Sequence, residues 1–314
     1  MPKYNRTAGM SFGDKHSGLR NGLKNPNTAL TYKVGVEQEN ETVNELSDWS
    51  KWLWYEVWLP ARDFAISWAG GDSIVLSDDG DIVHGSRHAS NENLYSAHNH
   101  HQKQIAVDTY EPLSEIPNIS ALLLAFGTQA HDYGVNGVTI PVAEALIEKY
   151  GWRVVSDYQI RYFTENGFEV SVSHCAASVG KKEHLRNNGA ISYGMDKIRD
   201  AVDFGEMPAG LYQSGHFHNY ASAPVSRSIG SVDYKTHVIV TPAMTGPNPF
   251  ARQAARSADF TTCGVYFWEE IDGKLGDVVP FFRRKDNRSV NKMPTLKEPL
   301  TPSPPKRKKI LGIF

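Results

Sequence analysis

Five short segments carry side chains that ligate metals, and they follow one another in a fixed order. Residues 11–18 read SFGDKHSG and place Asp14 and His16 one residue apart between glycines. SDDGDIVHG (77–85) offers Asp81 directly after Gly80, and AFGTQAHDYG (125–134) offers His131. FEVSVSHCA (168–176) offers His174, and SGHFHN (214–219) offers His216 and His218 after Gly215. Imidazole is the commonest metal ligand, and carboxylates and imidazoles together suit divalent transition metals. In a strand, residues two apart share a face; in a loop opened by glycine, two rings can converge on one point. Gly-His-x-His alone is equally well a surface loop. Five such pieces in one chain point to a metal centre.

The elements that would hold these residues are strand-like. DSIVLSDDGD (72–81), ISALLLAFGTQAHD (119–132) and THVIVTP (236–242) are apolar runs suited to buried strands. The first two end at candidate ligands, as expected where ligands gather at the carboxyl ends of strands. TIPVAEALIEKYG (139–151) reads as a helix, with Thr139 as its cap, Pro141 in its first turn and Gly151 at its end. WRVVSDYQIRYFTENGFEVSVSH (152–174) reads as two strands turning at Asn166-Gly167, and CGVYFWEEIDGKLGDVVPFF (263–282) as a hairpin turning near Asp272-Gly273. DWSKWLWYEVWLPARDFAISW (48–68) has helical spacing, holds five of the seven tryptophans and offers Asp48 as a cap; it reads as an amphipathic core helix. Residues 20–47 read as a long polar loop, and YNRTAGMSF before Asp14 is a poor strand. Strand–helix units mixed with hairpins indicate an α/β protein with parallel and antiparallel pairing.

A chain of 314 residues with 40% hydrophobic and 22% charged residues can build a large core. A formal charge of −2 argues against a nucleic-acid coat protein and leaves room for a local basic patch. Two cysteines, Cys175 and Cys263, make no disulfide framework, so a reduced cytoplasmic setting is expected. The N-terminal residues contain no apolar signal core, and ISALLLAF (119–126) is too short to span a bilayer. Residues 1–290 read as one domain. Residues 291–314 read as a Pro/Lys-rich tail, disordered or extended, whose KRKK could meet nucleic acid or a partner.

The order Asp-x-His, Gly-Asp, Gly-Thr-x-x-His, His, Gly-His-x-His resembles the calcineurin-like metallophosphoesterase family over roughly residues 8–285. That family's pattern is Asp-x-His, Gly-Asp-x-x-Asp, Gly-Asn-His-Asp/Glu, His, Gly-His-x-His, and this version looks most like its bacteriophage-type members. The resemblance implies a four-layer α/β/β/α sandwich of two mixed sheets flanked by helices. It implies two divalent ions, Mn²⁺ foremost, with Zn²⁺, Fe and Mg²⁺ open, and hydrolysis of phosphoesters. Asp14, His16 and His218 would hold the first ion, His174 and His216 the second, and Asp81 both, since its two oxygens can serve two cations. His131 would be the acid that protonates the leaving group, or a ligand. Three positions depart from the pattern. Thr128 stands nearest the family's metal-binding Asn, so Thr128 or a water completes the second site. Two residues intervene before His131. His84 stands where the family has Asp.

Around this set, His84, Arg87 and His88 are candidates for substrate phosphate, and His98, His100 and His101 for a polar face or substrate contact. Asp78 and Asp79 read as a strand end, and His184 and His237 as structural. Cys175 points away from His174 if both lie on a strand. The reading leans to a phosphodiesterase or nuclease acting on nucleic acid or a nucleotide, with FARQAARS (250–257) and RRK (283–285) as a basic rim. A phosphatase, or a metal-stabilised module without catalysis, remains open. An amidohydrolase barrel would place His-x-His early among repeated strand–helix units, and no such repeat is visible.

Overall fold

The computed structural model describes residues 5–34, 38–43, 45–85, 93–132, 137–180, 182–247 and 260–287. Its strands, in chain order, are β1 (Arg6–Phe12), β2 (Ala29–Val34), β3 (Gln38–Val43), β4 (Ser73–Asp78), β5 (Ile119–Ala125), β6 (Val154–Asp157), β7 (Gln159–Phe163), β8 (Glu169–Ser173), β9 (Leu211–Ser214), β10 (Ala221–Ile229), β11 (Val232–Val240), β12 (Phe260–Ile271) and β13 (Lys274–Asp286). The helices are α1 (Asp48–Trp52), which runs through a π-helical stretch (Leu53–Trp58) into α2 (Leu59–Ala69), then α3 (Asn99–Thr109), α4 (Thr139–Tyr150) and α5 (Asn188–Phe204).

Two mixed sheets face each other. The first has the order β13-β12-β1-β4-β5-β6, with β1, β4, β5 and β6 parallel and β12 and β13 antiparallel. The second has the order β10-β11-β9-β8-β7, with a parallel centre of β11, β9 and β8. Between them Val75, Leu123, Val170, Leu211, Ile239 and Trp268 form one apolar layer. On the outer face of the first sheet, Met10, Phe12 and Leu122 pack with Trp54, Trp58, Val142 and Leu146 of the helices. On the outer face of the second, α5 sets Ala190 against Val238. This is the α/β/β/α order. Among the described residues no helix is long and apolar enough to cross a membrane.

Several elements differ from the sequence reading. The weak strand before Asp14 is the buried centre of the first sheet. Ala8, Met10 and Phe12 face the helices, while Gly9 leaves room for the Trp268 ring; a Cβ there would stand 1.9 Å from Trp268 Cε2. The expected loop 20–47 contains the antiparallel pair β2–β3, in keeping with the β-branched and aromatic residues of ALTYKV. The stretch 152–174 holds three strands: β6 joins the first sheet, and only β7 and β8 form the hairpin through Gly167. Ser47, rather than Asp48, caps α1 by accepting from Ser50 N–H. Thr139 is the first residue of α4 and bonds Asp132 through its backbone N–H and its hydroxyl. The FARQAARS segment and residues 288–314 lie outside the described residues.

Candidate metal centre

The strand ends are level, and that places the candidate ligands. Phe12 pairs with Asp78 at the end of β1 and β4, and Asp78 with Leu124 of β5. The loops leaving β1 and β4 then run side by side. Asp14 N–H bonds Gly80 O at 2.9 Å, His16 N–H bonds Asp81 O at 3.0 Å, and Ser17 N–H bonds Ile82 O at 2.8 Å. From the second sheet, β8 delivers His174, and the turn after β9 delivers His216 and His218. His216 N–H donates to Asp14 Oδ2 at 2.8 Å and ties that turn to the first loop. Asp14, His16, Asp81, His216 and His218 all have φ between 46° and 75°. Left-handed backbone is unfavourable for residues with a Cβ and concentrates at functional sites.

Three groups of ligand atoms result, each within 4.8 Å of one another: Asp14, His16 and His218; Asp81, His174 and His216; and His16, His84 and His131. His16 Nε2 lies 3.0 Å from His218 Nε2, and Asp14 Oδ1 lies 4.0 and 3.8 Å from these two nitrogens. His174 Nε2 lies 3.1 Å from Asp81 Oδ2. The opposite ring atom of His174, Nδ1, donates to the carbonyl of Asp79 at 2.8 Å, which fixes the ring and leaves Nε2 for the centre. His131 Nδ1 donates to the carbonyl of His84 at 2.6 Å in the same way. Thr128 donates to Asp81 Oδ1 through its N–H at 2.7 Å and its hydroxyl at 3.1 Å. The hydroxyl thus orients the central carboxylate.

The electrostatics follow from burial and close charges. Burial lifts Asp14 to about 7. Burial also acts to raise Asp81, but its hydrogen bond and charge interaction with His174 outweigh this and hold it at about 2. His174 moves oppositely: burial lowers it, and Asp81, Asp14 and Asp79 carry it up to about 10. Burial lowers His16 and His216 and takes His218 to about 4, so these rings are neutral and ligand-competent near neutrality.

The residues fit a pair of divalent cations. Asp14 Oδ1 is buried, faces two ring nitrogens and has no hydrogen-bond partner among the described residues. Buried carboxylate oxygens are seldom left so unless something else binds them. The donor set of carboxylates and imidazoles without thiolate is that of Mn²⁺, Zn²⁺ or iron.

Other residues take different places. His84 is buried, with Nδ1 3.3 Å from His16 Nδ1. Arg87 and His88 lie outside the described residues. His101 is buried and engaged at both nitrogens, with Ser96 Oγ and Thr31 O each at 2.8 Å. His237 Nε2 meets Ser222 Oγ at 2.8 Å, away from the ligands. Sequence reasoning passed over Lys15 and read Asp78 and Asp79 as a strand end, which Asp78 is, without seeing their part behind the site. Asp79 lies behind Asp14, accepts from Thr241 and is driven well above the ordinary carboxylate range by burial and by Asp14. Gly13 and Gly215 are glycine because of it: a Cβ on either would meet Asp79 Oδ1 at 1.5 or 2.3 Å. Two adjacent acids at a strand end, with glycines on the facing loops, were the available signal.

No protein-family profile and no curated protein matches the chain. Among solved structures, a metallophosphoesterase from Sphaerobacter thermophilus aligns over 90% of this chain and 89% of its own, with 13% identity and a TM-score of 0.33. That likeness is too slight to assign a family, and the functional reading rests on the site itself.

Proposed function

We propose that this protein is a dinuclear metal-dependent phosphoesterase that acts on phosphodiesters, nucleic acid or a nucleotide among them. The observation that carries the reading is the pair of groups Asp14–His16–His218 and Asp81–His174–His216, delivered by strand ends of two facing sheets. In this reading Asp14, His16 and His218 hold one ion, His174 and His216 hold the other, and Asp81 serves both. Two ions held there, Mn²⁺ foremost, would polarise a phosphoryl oxygen and lower the pKa of the attacking water. Thr128 fixes the Asp81 carboxylate, and Asp79 O fixes the His174 ring. His131, with Nδ1–H held by the His84 carbonyl, carries a proton on Nε2 when charged and gives it to the leaving oxygen as the P–O bond breaks.

The test is hydrolysis of bis-p-nitrophenyl phosphate and p-nitrophenyl phosphate by metal-stripped protein with Mn²⁺ restored, beside Asp81→Asn. Diesterase activity that needs both the metal and Asp81 is expected. Activity on the monoester alone would make the protein a phosphatase. Two bound ions with neither activity would favour a metal-stabilised module without catalysis, a reading motivated by Thr128 binding Asp81 where the family pattern has a ligating Asn. No bound metal would overturn the reading.

A further inference from the structure

Between Asp14 and His16 stands Lys15, whose side chain is fully buried in the opposite direction. Its Nζ lies 2.9 Å from Asp78 Oδ2, also fully buried, and 3.3 Å from the centre of the Tyr110 ring. Tyr110 OH donates to the same Asp78 oxygen at 2.7 Å. The other oxygen, Oδ1, accepts from Gly80 N–H at 3.1 Å. Gly80 has φ 107°, and the next residue is Asp81 with φ 48°. One carboxylate therefore holds the turn that delivers Asp81 and also grips the residue between Asp14 and His16. The Lys15–Asp78 contact is ionic, since the ammonium makes no well-directed hydrogen bond. A buried ion pair is weak evidence for stability, because desolvation of both charges offsets their attraction. An apolar pair would fill the space as well, so its use here calls for another reason.

We propose that the buried Lys15–Asp78 pair, seated on Tyr110, is a positioning device that fixes Asp14 and His16 relative to Asp81 and thereby sets metal affinity. The pair touches neither substrate nor ion. It acts through the two loops, which also share the bonds Asp14 N–H to Gly80 O and His16 N–H to Asp81 O. Those bonds set the spacing of the backbones. The ion pair sets how deep each loop sits over the sheet, and with it the direction of three side chains whose backbone is left-handed. The proposal rests on the metal-centre reading above.

The test uses the full chain and the double variant Lys15→Met/Asp78→Asn. An amide at position 78 still accepts from Gly80 N–H, so the variant removes the two charges and keeps the turn. The metal-stripped double variant is expected to melt within a few degrees of wild type. Its Mn²⁺ affinity by calorimetry should fall on the order of 10–100-fold, as when supports of metal ligands are removed, and the visible absorption of its Co²⁺ form should change. A folded double variant with wild-type affinity and an unchanged Co²⁺ spectrum would overturn the proposal. Should the double variant not fold, Tyr110→Phe decides, since it takes one hydrogen bond from Asp78 and no charge. A severalfold loss of affinity supports the device, and no loss overturns it. The wild-type titration separates the two ideas: if wild type binds no metal, the metal-centre reading fails first.

Discussion

At the scale of single residues, the loop that carries Asp14 is backed by groups buried from solvent. Asp79 fills the space behind Asp14 that Gly13 and Gly215 leave open. Gly13→Ala should cost about 1–3 kcal/mol or more by overpacking, and should cost much less in an Asp79→Ala background, because the atom it strikes is gone. Urea unfolding of the two single variants and the double variant measures this coupling; equal costs in both backgrounds would refute it. His131→Asn should lower kcat on the diester by about 10²–10⁴-fold and leave bound metal unchanged, which distinguishes a proton carrier from a ligand. His237 gives a pH dependence away from the ligands. Burial lowers it to about 4 from an ordinary 6.5, so the unfolded chain takes up its proton first on acidification. Stability from this residue is present above pH 6.5 and drains away as pH falls toward 4. His237→Gln should flatten that part of the melting-temperature profile. The ligand candidates were legible because metal chemistry restricts residue types and their spacing. The supporting parts of Lys15, Asp78 and Asp79 were harder to see, because a lysine or acid that supports a site is written much like one on any polar loop or strand end, and burial is what sets it apart.

At the scale of elements, legibility followed how much each strand's packing is recorded in its own residues. β4 and β5 are buried on both faces and read as apolar runs. β1 is equally buried, yet Gly9 and Ser11 lie on the face that meets Trp268, whose Nε1 donates to Ser11 Oγ at 3.1 Å. Its apolar contact comes from a residue more than 250 positions away, which no local pattern shows. Gly9→Ala should therefore be severely destabilising, by several kcal/mol, since the Trp268 ring has no empty space to enter. Thermal melting should show the loss, and Trp268→Leu in the same chain should recover part of it. The hairpin turns at Asn166-Gly167 and Asp272-Gly273 were readable, because they use left-handed backbone that few residues accept; the β10–β11 turn at Gly230 was not read.

At the scale of the whole molecule, the candidate centre bridges the two sheets at the carboxyl ends of their inner strands. Elsewhere they are held by the apolar layer and by the buried contact of Ser77 Oγ with Gln213 Oε1 at 2.5 Å. An ion bound by Asp81 and His174 would link β4 to β8 directly. Saturating Mn²⁺ should stabilise the fold by about 2.7 kcal/mol at a hundred times Kd, and a chelator should remove the gain; calorimetric melting with and without metal measures it. Invariance of the melting temperature to metal would mean that these strand ends are not a binding site.

The two halves of the first ligand group also lie far apart in time. Asp14 and His16 are each 202 positions from the histidine of the β9 turn that they touch. At roughly 5–20 residues per second on a ribosome, His216 and His218 appear about 10–40 s after the early pair. Until then the first group lacks its third member, and the β12 neighbour of β1 has yet to be made. Loading of such a site would thus be a step for a chain with both sheets complete, and which ion is acquired would depend on what the cell offers at that point.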